Sequence, residues 1–109
     1  MGLMKKLVRD RVPDIIRQNG REPEVERVSG EWMSLALKDK LVEEACELRQ
    51  SDDMYEELAD VLEVVDAIVE YYGIDRARLE LAKKEKLDRV GGFKEGFMLS
   101  NEKHLAKGE

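Results

Sequence analysis

Cysteine is nearly missing from this chain. Cys46 stands alone among 109 residues, which excludes an intramolecular disulfide and points to a reducing compartment. It falls in an apolar-periodic segment between Val42 and Leu48, where a thiol is expected to be buried and inert. Histidine is as scarce, with His104 the single imidazole, so no thiolate or imidazole cluster can build a zinc site. Two prolines and 6% aromatic residues suit helices better than a sandwich of strands. A basic surplus is also lacking. With 19 lysines and arginines against 25 acids, the net charge of −6 argues against a nucleic-acid polymer as partner. No apolar run is long enough to span a bilayer, and Lys5 and Lys6 are followed by Arg9, Asp10 and Arg11 rather than by an apolar stretch. No membrane partner is expected, and the expected location is the cytoplasm.

Apolar residues (42%) and charged residues (40%) make up most of the chain, enough for one small domain over 1–109 with an ionic surface. Residues 3–12 read as an irregular or extended lead-in, and Pro13 opens a short helix to Gln18 that Asn19-Gly20 stops. Residues 21–28 read as a loop or a short strand. Ser29 is expected to cap a long helix from about Glu31 to Gln50, with Leu37, Leu41, Ala45 and Leu48 on one face. Ser51-Asp52-Asp53 forms a cap cluster for a second long helix that ends at Gly73. Its expected apolar face is Leu58, Val61, Leu62, Val65, Ile68, Val69 and Tyr72. The tight connection predicts antiparallel packing as a hairpin. Asp75 caps a further helix to about Arg89, with Leu79, Leu81, Ala82 and Leu87 as its apolar set, and Gly91-Gly92 ends it. Phe93, Phe97, Met98 and Leu99 are expected to dock, ahead of a polar, frayed tail over about 100–109. The expected fold is all-α: a hairpin of two long helices plus shorter helices, in a bundle completed by oligomerisation as a homodimer or tetramer.

The second long helix is anomalous in its charge. Between Arg49 and Arg76 there is no lysine or arginine, while Asp52, Asp53, Glu56, Glu57, Asp60, Glu63, Asp66, Glu70 and Asp75 crowd the segment. Like-charge neighbours three or four apart cost a helix roughly 0.2–0.5 kcal/mol each, so positive charge is expected from outside it. Glu57 and Asp60 border Val61, Val64 and Ala67 at the margin of the apolar stripe. On the preceding helix, Glu43, Glu44 and Glu47 flank its stripe, and the positions four residues further on are Glu47, Leu48 and Ser51. Folding the hairpin brings Glu44/Glu47 and Glu57/Asp60 towards one another. Hard oxygen donors on rigid helices suit Mg²⁺ or Mn²⁺. The competing reading is a solvated acidic face, and spacing alone does not separate the two.

Glu43-Glu44-Ala45-Cys46-Glu47 followed by Glu57-Leu58-Ala59-Asp60 resembles the E-E-x-x-E…E-x-x-D signature of the all-α nucleotide pyrophosphohydrolases, the superfamily of MazG, dimeric dUTPases and phosphoribosyl-ATP pyrophosphohydrolase. Lys6-Leu7-Val8-Arg9-Asp10-Arg11-Val12-Pro13 and Gly91-Gly92-Phe93 resemble segments of a small MazG-like group within it. The resemblance spans roughly residues 5–99. It implies that Glu44, Glu47, Glu57 and Asp60 bind Mg²⁺ with Glu43 assisting. It also implies cleavage of a nucleotide between the α and β phosphates to a monophosphate and pyrophosphate. Glu44 or Glu47 would then take a proton from, or orient, the attacking water. Lys83, Lys86 and Arg89, then Arg9 and Arg11, are the cations expected to meet substrate phosphate; the competing role is ion pairing to the acidic helix for the first three and surface solvation for Arg9 and Arg11. Trp32 and Tyr55 are available to stack on a base, although Trp32 is expected to pack. The group has arginine immediately before Gly-Gly-Phe, where this chain has Val90. The alternative function is a non-catalytic helical oligomerisation or regulatory module that keeps the acidic scaffold.

Overall fold

The computed structural model describes residues 5–100, 103, 105 and 106. Among them are four helices and no strand: α1 (Val12–Gln18), α2 (Gly30–Gln50), α3 (Met54–Tyr72) and α4 (Arg76–Val90). The fold is all-α. Residues 21–28 are irregular throughout, so the short strand considered for them does not form. No helix among the described residues is long and apolar enough to cross a membrane. His104 and most of the polar tail lie outside the described residues.

Local chemistry accounts for the helix ends. Pro13 sits in the first turn of α1, where its missing N–H costs nothing, and Gly20 leaves the helix at φ 85°. Asp53 caps α3, its carboxylate accepting from the Glu56 N–H at 3.1 Å. Asp75 does the same for α4, accepting from Ala77 N at 2.9 Å and Arg78 N at 3.3 Å. Gly73 ends α3 in the left-handed region at φ 62°, where a β-carbon would be strained. Ser29 holds the N-cap position of α2 but makes no side-chain capping bond, contrary to expectation.

The chain divides into two compact units, Met1–Gly73 and Ile74–Glu109. In the first, α2 packs antiparallel on α3. The N-terminal end of α2 meets the C-terminal end of α3 through Ser34 and Tyr72, whose hydroxyls hydrogen-bond, and through Tyr71, which donates to the Gly30 carbonyl at 2.6 Å. Lys38 lies over the Tyr72 ring at 5.6 Å from its centre. Leu37, Val64 and Val69 are the buried apolar residues among those described.

The seam follows the expected apolar stripes at most positions and departs from them at Ala45, Leu58 and Leu62. On α2, Leu37 and Glu44 are buried and Leu41 and Leu48 half-buried, whereas Ala45 is exposed. On α3, Val64 and Val69 are buried and Glu57, Asp60, Val61, Val65, Ala67 and Ile68 are half-buried, whereas Leu58 and Leu62 are exposed. The α3 face that meets α2 therefore carries carboxylates as well. Cys46 is exposed, because it sits on the side of α2 away from Leu37 and Glu44. Trp32 is exposed as well and does not pack within the chain.

In the second unit α4 runs from its Asp75 cap to Gly91, and a turn follows in which Gly96 N donates to the Phe93 carbonyl at 3.2 Å. Leu79, Leu81 and Leu87 are exposed, and so are Phe93, Phe97, Met98 and Leu99. The docking expected of those last four residues does not occur in the single chain. The physical reason is that α4 presents no buried face for them to join.

Candidate metal centre

The seam between α2 and α3 gathers carboxylates that a solvated face would hold apart. Glu44 is 5% exposed, the one buried charged side chain among the described residues. Glu44, Glu57 and Asp60 each bring an oxygen within 4.8 Å of the others, across the two helices. A second set, Glu43, Glu44 and Glu47, meets the same distance on α2 alone, so Glu44 belongs to both. Glu43, Glu57 and Asp60 are half-buried, and Glu47 is exposed.

Two carboxylate oxygens, Glu44 Oε2 and Glu57 Oε2, are enclosed and accept no hydrogen bond. A buried acceptor without a donor is costly, and a buried anionic one more so. Glu57 reports the strain: loss of solvent, then the like charges of Glu47, Asp60, Glu56 and Glu44, push its carboxyl above the ordinary glutamate value.

Cations pair with several of these acids. Lys40, one turn earlier on α2, places Nζ 2.6 Å from Glu43 Oε2 and 3.3 Å from Glu44 Oε1. The Lys40 bond holds the Glu43 carboxyl below its ordinary value against the opposing effect of burial. Burial disfavours the Lys40 ammonium, yet Glu43 and Glu44 together outweigh it and raise its pKa. The lead-in segment adds Lys6, 3.5 Å from Glu43 Oε1, and Arg9, whose Nη2 donates to Asp60 Oδ1 at 2.6 Å. The expectation that cations from outside α3 meet its acids is therefore met by Arg9.

Of the other cations named from sequence, Arg11 is exposed at the start of α1. Lys83, Lys86 and Arg89 lie along α4 in the second unit. Lys40 and Lys6 are not among the expected cations. Lys40 precedes Glu43 by three residues and Glu44 by four, a spacing that places all three on one face of α2.

The donor set fits a hard divalent cation. It offers carboxylate oxygens alone, two of them enclosed and without partners, on helices that hold them near one another.

No protein-family model and no solved structure matches the chain. A stretch of 49 residues is 47% identical to an uncharacterized protein of Mycolicibacterium smegmatis, a match taking in 45% of this chain and 50% of that protein. The chain thus spans about half the length of the curated relative it matches.

Proposed function

We propose that this chain is a Mg²⁺-dependent nucleotide pyrophosphohydrolase of the MazG-like kind, cleaving a nucleotide between its α and β phosphates. The observation that carries the reading is Glu44: a buried glutamate with an unpartnered oxygen, facing Glu57 and Asp60 from the opposite helix. A surface acid selected for solubility would sit in water, whereas Glu44 is enclosed and one of its oxygens accepts no bond.

In this reading Glu44, Glu57 and Asp60 would hold Mg²⁺, or Mn²⁺, with Glu47, which is exposed, and Glu43, which pairs with Lys40 and Lys6, assisting. The bound ion would polarise phosphate oxygens and lower the pKa of a water. Glu47, the exposed carboxylate of the group, would take the proton of an attacking water as the α–β bridging P–O bond breaks and pyrophosphate departs. Glu44, enclosed and tied to Lys40, suits the ligand role better. Arg9, already beside Asp60, is the cation nearest to hand for a phosphate oxygen. The location expected for such an enzyme is the cytoplasm.

Pyrophosphate release from a panel of nucleoside triphosphates, with and without Mg²⁺, tests the activity. Glu44→Gln and Asp60→Asn are each expected to lower turnover at least about a hundredfold, since loss of a single ligand or electrostatic partner at a reacting phosphate typically costs that much. Unchanged turnover in both variants would refute the site.

A second reading is supported by the exposure of Phe93, Phe97 and Met98 and by a core of few apolar residues. It makes the chain a helical oligomerisation or regulatory module, with Lys6, Lys40 and Arg9 serving only to balance the acids. Mg²⁺-independent assembly with no pyrophosphate release from any nucleotide would favour it. Both readings include a homodimer or tetramer.

A further inference from the structure

Lys40 is the most enclosed cation at the site, its side chain 17% exposed against 67% for Lys6 and 55% for Arg9. The stem lies along α2 beside the seam, and the ammonium reaches forward to two successive glutamates. Its contact with Glu44 is one-sided. Nζ meets Oε1, while Oε2 is enclosed and accepts no bond from any side chain or backbone group. A carboxylate tied at one oxygen has lost its freedom to rotate, and the other oxygen then points in a fixed direction. Glu43 is gripped more closely, at 2.6 Å, which fixes the ammonium itself.

We infer that Lys40 is a positioning residue for the divalent ion: by bridging Glu43 and Glu44 it holds the Glu44 carboxylate so that Oε2 faces Glu57 and Asp60. The inference rests on the metal-site reading above. Two effects of opposite sign meet at this lysine. An ammonium close to a ligand repels an incoming divalent ion, so charge alone predicts that removing it strengthens metal binding. Against this, the outer partners of metal ligands hold them in their binding geometry, and removing such a partner typically weakens metal affinity. Burial decides between them here. Without Lys40, Glu44 would be an enclosed carboxylate with neither oxygen satisfied, so it would swing towards solvent, and the ion would lose the ligand that joins the two helices.

Titration of the intact chain with Mn²⁺ alone, followed by the electron paramagnetic resonance signal of the free ion, tests this. Lys40→Met is expected to weaken Mn²⁺ binding by roughly 10–100-fold, and Lys40→Arg, which keeps a cationic donor, to recover most of that loss. Recovery by arginine separates orientation from simple filling of space. Should Lys40→Met fail to fold, by circular dichroism, Lys40→Gln is read in its place, since it is too short to bridge both acids. Mn²⁺ affinity equal to or above that of the unaltered chain in the neutral variant would overturn the inference and make Lys40 a competing counterion. If the unaltered chain binds no Mn²⁺, the metal site falls and this inference with it. If Glu44→Gln abolishes binding while the Lys40 variants leave it intact, the site stands and only the role of Lys40 is lost.

Discussion

Glu57 carries a proton more readily than an ordinary glutamate, because burial and four neighbouring acids oppose its charge. A carboxyl whose pKa rises on folding penalises the folded state above that raised value. The penalty fades as pH falls through it towards the ordinary glutamate value, because the folded chain then binds the proton more tightly than the unfolded one. Glu43 has the opposite sign. Its depressed pKa contributes stability that is complete above the ordinary value and is lost only at lower pH. The two windows therefore lie on either side of the ordinary glutamate value. Glu57→Gln should raise the melting temperature of metal-free protein at neutral pH and flatten its rise on mild acidification. Thermal melts across that range, without divalent ions, check both; an unchanged profile would mean that Glu57 is not under the strain its surroundings imply. The residue-scale surprise is Lys40. Its pairing with Glu43 and Glu44 was legible from spacing read towards the N-terminus, whereas the one-sidedness of the Glu44 contact depends on packing that no spacing reveals.

At the scale of elements, helix ends were mostly legible and helix faces were legible only in part. Caps are local chemistry: Asp53, Gly73 and Asp75 each act on backbone groups a few residues away. Faces depend on which partner arrives. α3 is apolar over more than one stripe, and of the expected one Val61, Val65, Ile68 and Val69 are covered while Leu58 and Leu62 are not. The seam also takes Val64 together with Glu57 and Asp60, and Glu44 takes the place expected for Ala45. Acids placed from sequence at the margin of the contact are thus inside it. The caps also differ among themselves, and a pair of substitutions measures the difference. Asp53→Ala removes a carboxylate bonded to the Glu56 N–H and should cost about 1 kcal/mol in denaturant unfolding, whereas Ser29→Ala should stay within about 0.5 kcal/mol because Ser29 makes no such bond. Equal losses would mean that Ser29 caps α2 in solution.

At the scale of the molecule, the apolar residues far exceed what the single chain buries. Leu37, Val64 and Val69 are buried, while Leu58, Leu62, Leu79, Leu87, Phe93, Phe97 and Met98 are exposed. Chains of this size fold independently with difficulty when so little is enclosed. Sedimentation equilibrium is expected to give a dimer or larger, and replacing Phe93 and Phe97 with serine to shift it towards monomer; a monomer at micromolar concentration in the unaltered chain would contradict this. The all-α architecture was legible because periodicity and caps agree along the chain. The docking expected of Phe93 to Leu99 was not, since an apolar segment declares that it needs cover without naming what supplies it.

The short link from Gln50 to Met54 has one further effect. Because Glu44 and Asp60 flank a single tight reversal of the chain, their approach needs the closure of only a small loop, with little entropy lost. The acid pocket can thus assemble early and locally, as soon as these neighbouring segments meet. Damage to distant surfaces should then leave the acid pocket assembled.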